Sequence, residues 1–253
     1  MAIKFTLKKR KASRKDYSFH KSHAVGAAPL PDNFNINVPQ LVQDTEDCSA
    51  FSACDARDGS VPGANFDPAT FWSDELQFAG VSGAPDGFDI EVPAAVGVEI
   101  GFAQLPDLLL RTNKASAYFW ITPNNGMDLF DAVRSAIYSQ NRPVVGGLTW
   151  MNEWMTVAGG YITTLGKTVL GGHAICITGW KTVNGVVYIA LKNTWGVNFG
   201  DNGTYWMSRD IFNEVFVGYG IYQWSDDPSS QIKTLGLLSA LLQNVITLLK
   251  NIV

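Results

Sequence analysis

The chain has 253 residues, 46% of them hydrophobic, with 24 glycines and eight tryptophans. That is enough apolar material for a large core in one domain or two closely packed lobes, and it excludes a disordered chain. Three cysteines are too few for a disulfide framework, and their odd number leaves at least one free thiol. The net charge of −4 conceals an asymmetry: residues 1–21 hold eight Lys or Arg and one Asp, leaving 11 basic and 22 acidic residues after them.

Residues 1–28 therefore read as a basic leader or short propeptide. The run Lys8, Lys9, Arg10, Lys11, Arg14 and Lys15 has the charge to attract nucleic acid or anionic lipid, yet it equally describes a solvated tail, and no specific nucleic-acid partner is predicted. No apolar stretch of secretory length follows it, so a cytoplasmic or intracellular location is expected. His20 and His23 are too few ligands for a metal site, and no cofactor or metal is predicted. Pro29 and Pro31 punctuate entry into the folded part, taken as residues 29–228.

Next comes "SAFSACDARD", which lacks breakers and predicts a helix starting at about Cys48. "DPATFWSDELQFAG" predicts a second, with Pro68 early and Gly80 as its stop. "GMDLFDAVRSAIYSQN" predicts a third, with Leu129, Val133, Ala136 and Ile137 on one face. "RPVVGGLTW", "GHAICITGW", "GVVYIALKNTW" and "GTYWMS" are β-branched and aromatic runs separated by Gly and Asn, as in an antiparallel sheet. The fold class is α+β in two lobes: a helical one over about 40–120 and a β one over about 121–228.

The last stretch, "LGLLSALLQNVITLLKNIV", is apolar around most of a helix, so residues 229–253 read as an apolar C-terminal helix. Packing on the protein's own body, self-association through residues 235–253 and attachment to a membrane surface are all open to it. Gln243, Asn244 and Lys250 argue against a spanning helix.

Three residues carry the chemistry. His173 stands at the start of a strand-like run, and Asn193 ends the next one, where adjacent antiparallel strands would bring it beside His173. Cys48 stands where a helix begins, a setting that favours a thiolate. Cysteine, histidine and asparagine form one unit: imidazole takes the thiol proton, sulfur attacks a carbonyl, and the amide oxygen holds the ring in its tautomer. Cys54 and Cys176 read as core packing.

"LPDNFN", then "VQDTEDCSAFSA", "LGGHAICITGW" and "KNTWGVNFGDNGTYWMS", in that order, resemble the papain-like cysteine peptidases from about Leu30 to Trp224, with a microbial or viral flavour. The resemblance implies two lobes, one helical and one β-barrel-like, with an extended peptide or protein substrate between them. It makes Cys48 the nucleophile, His173 the general base and later acid, and Asn193 the orienting amide. It makes Trp195 the indole that shields the His-Asn pair, and Gln43 the side chain that stabilises the oxyanion. Gly172, just before the histidine, is taken as a substrate-binding position. The implied function is a cysteine endopeptidase acting through a thioester.

There are departures. Four residues separate Gln43 from Cys48 where the family has five, and Glu46, Asp47 and Ser49 surround the cysteine in place of Gly, Ser and Trp. Carboxylates so close oppose thiolate formation unless they point to solvent. A catalytically inactive papain-like binding protein is one rival reading; a structural or assembly protein organised by its C-terminal helix is another. Only about 28 residues precede the folded part, so either the enzyme is made without a folded inhibitor domain or the short leader occupies the cleft and is later cleaved; the second is the favoured expectation.

Overall fold

The computed structural model describes residues 7–9, 29–43, 47–84, 87–111, 113–123 and 126–226. The expected C-terminal helix, the two leader histidines and Glu46 lie outside these residues.

Five helices occur among the described residues. Helix α1 (Cys48–Ser60) follows Asp47, whose side chain makes no cap bond, and ten of its thirteen residues are buried. Its small Ala50, Ala53 and Ala56 let the helix axis approach the sheet closely. Helix α2 (Pro68–Ala79) starts where Asp67 accepts the backbone N–H of Thr70 at 2.7 Å and ends on Gly80 at φ 68°, a left-handed turn that suits glycine. Helix α3 (Glu91–Glu99) was not expected, because Pro93 and Gly97 hide it from a periodicity reading. Helix α4 (Leu129–Gln140) is capped by Asp128, which accepts the N–H of Asp131, and helix α5 (Arg209–Val215) is short.

Eight strands make one sheet: β1 (Phe34–Asn35), β2 (Ala117–Trp120), β3 (Val144–Met151), β4 (Tyr161–Ile162), β5 (Val169–Val183), β6 (Val186–Lys192), β7 (Thr204–Ser208) and β8 (Ile221–Ser225). Their order is β2-β8-β3-β5-β6-β7-β4, with β1 added to β5. All pairings are antiparallel except β4 with β7. The sheet does not close, since β2 and β4 end the path without pairing with each other. The expected barrel-like lobe is thus an open, mostly antiparallel sheet. Runs of β-branched residues announce pairing, whereas closure depends on strand tilt and stagger that no single run encodes.

Side chains alternate across β3 and β5, so the sheet separates two cores. Leu148, Trp150, Ile175 and Ile177 join the larger cluster with α4 and α5, while Val145, Ala174 and Cys176 join Cys48, Ala53 and Cys54 of α1 in the second. His173 shares the parity of Ile175, yet its neighbour Ala174 faces α1. One short piece of β5 thereby addresses both sides.

Candidate active site

Cys48 is the first residue of α1, and its Sγ accepts the backbone N–H of Ala174 at 3.5 Å. His173 lies in β5 opposite Leu148 of β3 and is fully buried. Asn193 follows β6, and the antiparallel β5–β6 pairing sets its Oδ1 3.1 Å from His173 Nε2. The same Oδ1 accepts the N–H of Thr194 at 2.9 Å, which fixes it as the amide oxygen and an acceptor. His173 therefore carries its proton on Nε2, and Nδ1 is the basic nitrogen.

The Trp195 ring lies 4.8 Å from the imidazole, tilted by 33°. Trp150, which sequence reasoning did not single out, meets His173 edge-on at 5.4 Å and Trp195 at 5.0 Å. Two indoles thus wall the His-Asn pair from water, which strengthens a hydrogen bond in a low-dielectric site. The available signal was Trp150 ending "RPVVGGLTW", two residues along the strand from Leu148 and so on its face.

Gln43 is buried beside the same loop. Its N–H donates to Thr194 O at 2.6 Å, and its Oε1 accepts the Thr194 hydroxyl at 3.1 Å, so the amide's –NH2 is the end turned away from Thr194. That is the end an oxyanion would require.

Burial dominates the electrostatics. It pushes the Cys48 thiol up to about 12; the Ala174 N–H opposes this, and Glu75 and Asp47 add to it. Burial likewise lowers His173 to about 4, against the contrary pull of Asn193. Burial thus favours the neutral thiol and the neutral imidazole, against the thiolate that a helix start would favour. Asp47 is buried rather than turned to solvent. Glu75 of α2, also buried, accepts the Ser49 hydroxyl at 2.7 Å and is held well above the usual carboxylate range by burial. Ser49, a departure from the family pattern, is thus the partner of a second carboxyl group beside Cys48.

Residues 7–9 lie beside the site. Leu7 N–H donates to Gly172 O at 3.0 Å, and Lys8 N–H donates to Phe88 O at 2.8 Å, so residues 7–9 form an extended strap from β5 to the approach of α3. Leu7 is buried in the cluster that holds Cys48, Ala174 and Tyr219. All three cysteines are free and buried. Among the described residues no group of three His, Cys, Asp or Glu could hold a metal ion.

Residues 113–222 match the family described as papain family cysteine protease. The chain is similar to cathepsin B of Dictyostelium discoideum, 40% identical over 82 residues, which is 31% of this chain and 26% of that protein. It is similar also to cathepsin B-like cysteine proteinase 4 of Caenorhabditis elegans, 49% identical over 63 residues, 25% of this chain and 18% of that one. The matched stretches thus span about a quarter or less of these curated relatives. Among solved structures, xylellain, a cysteine protease from Xylella fastidiosa, superposes with a TM-score of 0.73 at 18% identity, over 90% of this chain and 98% of that one. The proCathepsin B S9 of Trypanosoma congolense gives 0.69 at 16% identity, over 87% and 86%. At these identities the structures show a shared fold, while the sequence match, 110 of the 253 residues, covers the stretch that holds His173 and Asn193. The fold is thus papain-like, and residues 113–222 are similar in sequence to the papain family cysteine proteases.

Proposed function

We propose that the protein is a cysteine peptidase that hydrolyses peptide bonds through Cys48, His173 and Asn193, and that its own leader holds it as a zymogen. The observation that carries this reading is the His173 Nε2 to Asn193 Oδ1 bond under Trp195, with Cys48 Sγ against the backbone of the next residue, Ala174.

In the forward step the Cys48 proton passes to His173 Nδ1, and sulfur bonds to the substrate carbonyl carbon. Asn193 Oδ1 steadies the imidazolium. The oxyanion meets donors from the Cys48 N–H and Gln43 Nε2. The C–N bond then breaks, the Nδ1 proton goes to the leaving amine, and a thioester remains. Water gives a proton to Nδ1 and attacks the thioester. The C–S bond breaks, a carboxylic acid leaves, and the thiol is restored. With the thiol near 12 and the imidazole near 4, the first transfer is uphill while the strap is in place. Vacating the cleft readmits water, which solvates both charges and brings the two values together.

The buried neutral thiol, with Asp47 and Glu75 beside it, is also what an inactive binding protein would have. Intact-mass spectrometry with peptide mapping separates the two readings. The full chain and its Leu7→Asp variant are treated with an epoxysuccinyl peptide at neutral pH and assayed with fluorogenic peptides. A single adduct on Cys48, lost in His173→Ala and matched by loss of hydrolysis, supports the peptidase. No hydrolysis by the Leu7→Asp variant, with Cys48 alkylated no faster than in His173→Ala, gives the binding protein.

A further inference from the structure

The loop after α3 turns leucines to solvent. Thirteen large hydrophobic side chains are exposed among the described residues, and four of them fall within six positions: Leu105 at 42%, Leu108 at 37%, Leu109 at 90% and Leu110 at 56%. Scattered apolar side chains are ordinary on a protein surface, whereas a contiguous run of leucines marks a surface that something covers. The loop is also held in place. Leu105 N–H donates to Asn65 O at 3.0 Å, and Arg111 at its far end donates from Nε and Nη2 to the two oxygens of Asp74 in α2, at 2.8 and 3.0 Å. Both ends are tied to the body, so the fold itself presents the patch.

The chain leaves the body beside this loop. Asp226 meets Asn113 and Lys114 on the Arg57 guanidinium: Nη1 donates to Asp226 Oδ1 at 2.9 Å, Nε to Asn113 Oδ1 at 2.6 Å and Nη2 to Lys114 O at 3.4 Å. Asn113 is three residues after Leu110, a step of at most about 10 Å. Beyond Asp226 the sequence supplies eight residues, 227–234, with Pro228, Ser229 and Ser230 among them, and then the apolar stretch 235–253. Eight extended residues reach about 26 Å, enough to cross the Arg57 bridge and that step together. The apolar stretch thus begins within reach of the leucines. Its own Leu238, Leu241, Val245, Leu248 and Ile252 recur at helical spacing and need an apolar cover in turn.

We propose that the leucines of residues 105–110 are the docking surface for the chain's own residues 235–253, tethered at Asp226. A tether this short holds the segment at an effective concentration of about millimolar beside the loop, which a second copy of the chain or a lipid surface would have to outcompete. The inference goes beyond the peptidase reading and does not depend on it, because it concerns how two apolar surfaces of one chain cover each other.

The test keeps the full chain and places a reporter thiol on the loop, Leu109→Cys; the three native cysteines are buried, and peptide mapping tells them apart. Alkylation at position 109 by iodoacetamide is timed by mass, alone and together with Leu241→Lys/Leu248→Lys. The charged segment is expected to speed it at least about tenfold, the worth of one leucine side chain taken out of water. A control reporter at the start of β6, Val186→Cys, also exposed, should keep one rate in both backgrounds. The reciprocal pair covers the case in which a charged segment disturbs folding: Leu108→Lys/Leu110→Lys should speed a Val245→Cys reporter by a similar factor. Protection at position 109 that is independent of protein concentration, in a chain of monomer mass by light scattering, supports the proposal. Equal rates in both backgrounds overturn it. So does protection that falls away on dilution along with a dimer mass, which makes a second copy the cover, and so does protection that arises only with phosphatidylglycerol vesicles, which makes the cover a lipid surface.

Discussion

At the scale of single residues, the site rests on one amide oxygen. Asn193 Oδ1 accepts from both Thr194 N–H and His173 Nε2, so turning the ring over would break its bond to an oxygen that Thr194 holds in place. Removing the base is expected to cost on the order of 10²- to 10⁴-fold in turnover for His173→Ala, and Gln43→Ala on the order of 10²- to 10³-fold in kcat. Steady-state kinetics with a fluorogenic peptide on the Leu7→Asp background would measure both, and an unchanged kcat in Gln43→Ala would remove that residue from the oxyanion site. His173 also links stability to pH. Its folded value near 4 lies below the ordinary imidazole value of 6.5, so the unfolded chain binds the extra proton between them. Stability from this group is complete above pH 6.5 and is lost as pH falls towards 4, by roughly 3 kcal/mol. Urea unfolding of the wild type and of His173→Gln from pH 7 to 4 should show a shallower slope in the variant.

At the scale of elements, close approach decides more than propensity does. Helix α3 contains Pro93 and Gly97, a poor helical sequence, yet it forms because Gly97 admits the Trp224 indole of β8, where a Cβ would stand 2.7 Å from the ring. Gly97→Ala is therefore expected to destabilise by about 1–3 kcal/mol despite alanine's better helix propensity. A chemical denaturation midpoint that rose instead would show that the indole can move aside. Of the helices that the sequence announced, α2 and α4 had visible punctuation, Asp67-Pro68 and Gly80 for α2, Asp128 and Asn141 for α4, while α1 stood out only as a run without breakers. Strand β5 shows the limit of that reading, because its pairing with three strands extends it from the expected "GHAICITGW" to Val169–Val183.

At the scale of the molecule, buried ionic links join distant parts of the chain. Arg57 near the end of α1 donates to Asp226, to Asn113 Oδ1 and to Lys114 O, and Arg142 after α4 donates to the same Asp226. The Arg57 side chain is only 3% exposed, so losing its anion strands a desolvated guanidinium. Asp226→Asn should lower stability by about 1–3 kcal/mol, discounted because Asp226 itself is partly open to solvent. Thermal unfolding would read this as a lower midpoint, and an unchanged midpoint would mean that Asn113 and Lys114 suffice to hold Arg57. The strap belongs to this scale too, since it bonds to β5 at Gly172 and to the approach of α3 at Phe88.

What the sequence determined by itself was local or short in range: helix starts and stops at Asp, Pro and Gly, the alternation of the long strands, and the order of Cys48, His173 and Asn193. The His-Asn juxtaposition was legible because two consecutive strand-like runs must pair antiparallel, which makes a 20-residue separation into a contact. Only the tertiary structure decided the rest. The open sheet, the Trp150 wall, the Ser49–Glu75 bond and the neutral state of the Cys48 and His173 pair all depend on which distant surfaces exclude water. Leu7 shows this most plainly. Its sequence context is a basic tail, and its place in a pocket of two glycines and a tyrosine comes from space that only the folded β3, β5 and the turn before β8 enclose. Burial is a property of the assembled whole, and local sequence carries no measure of it.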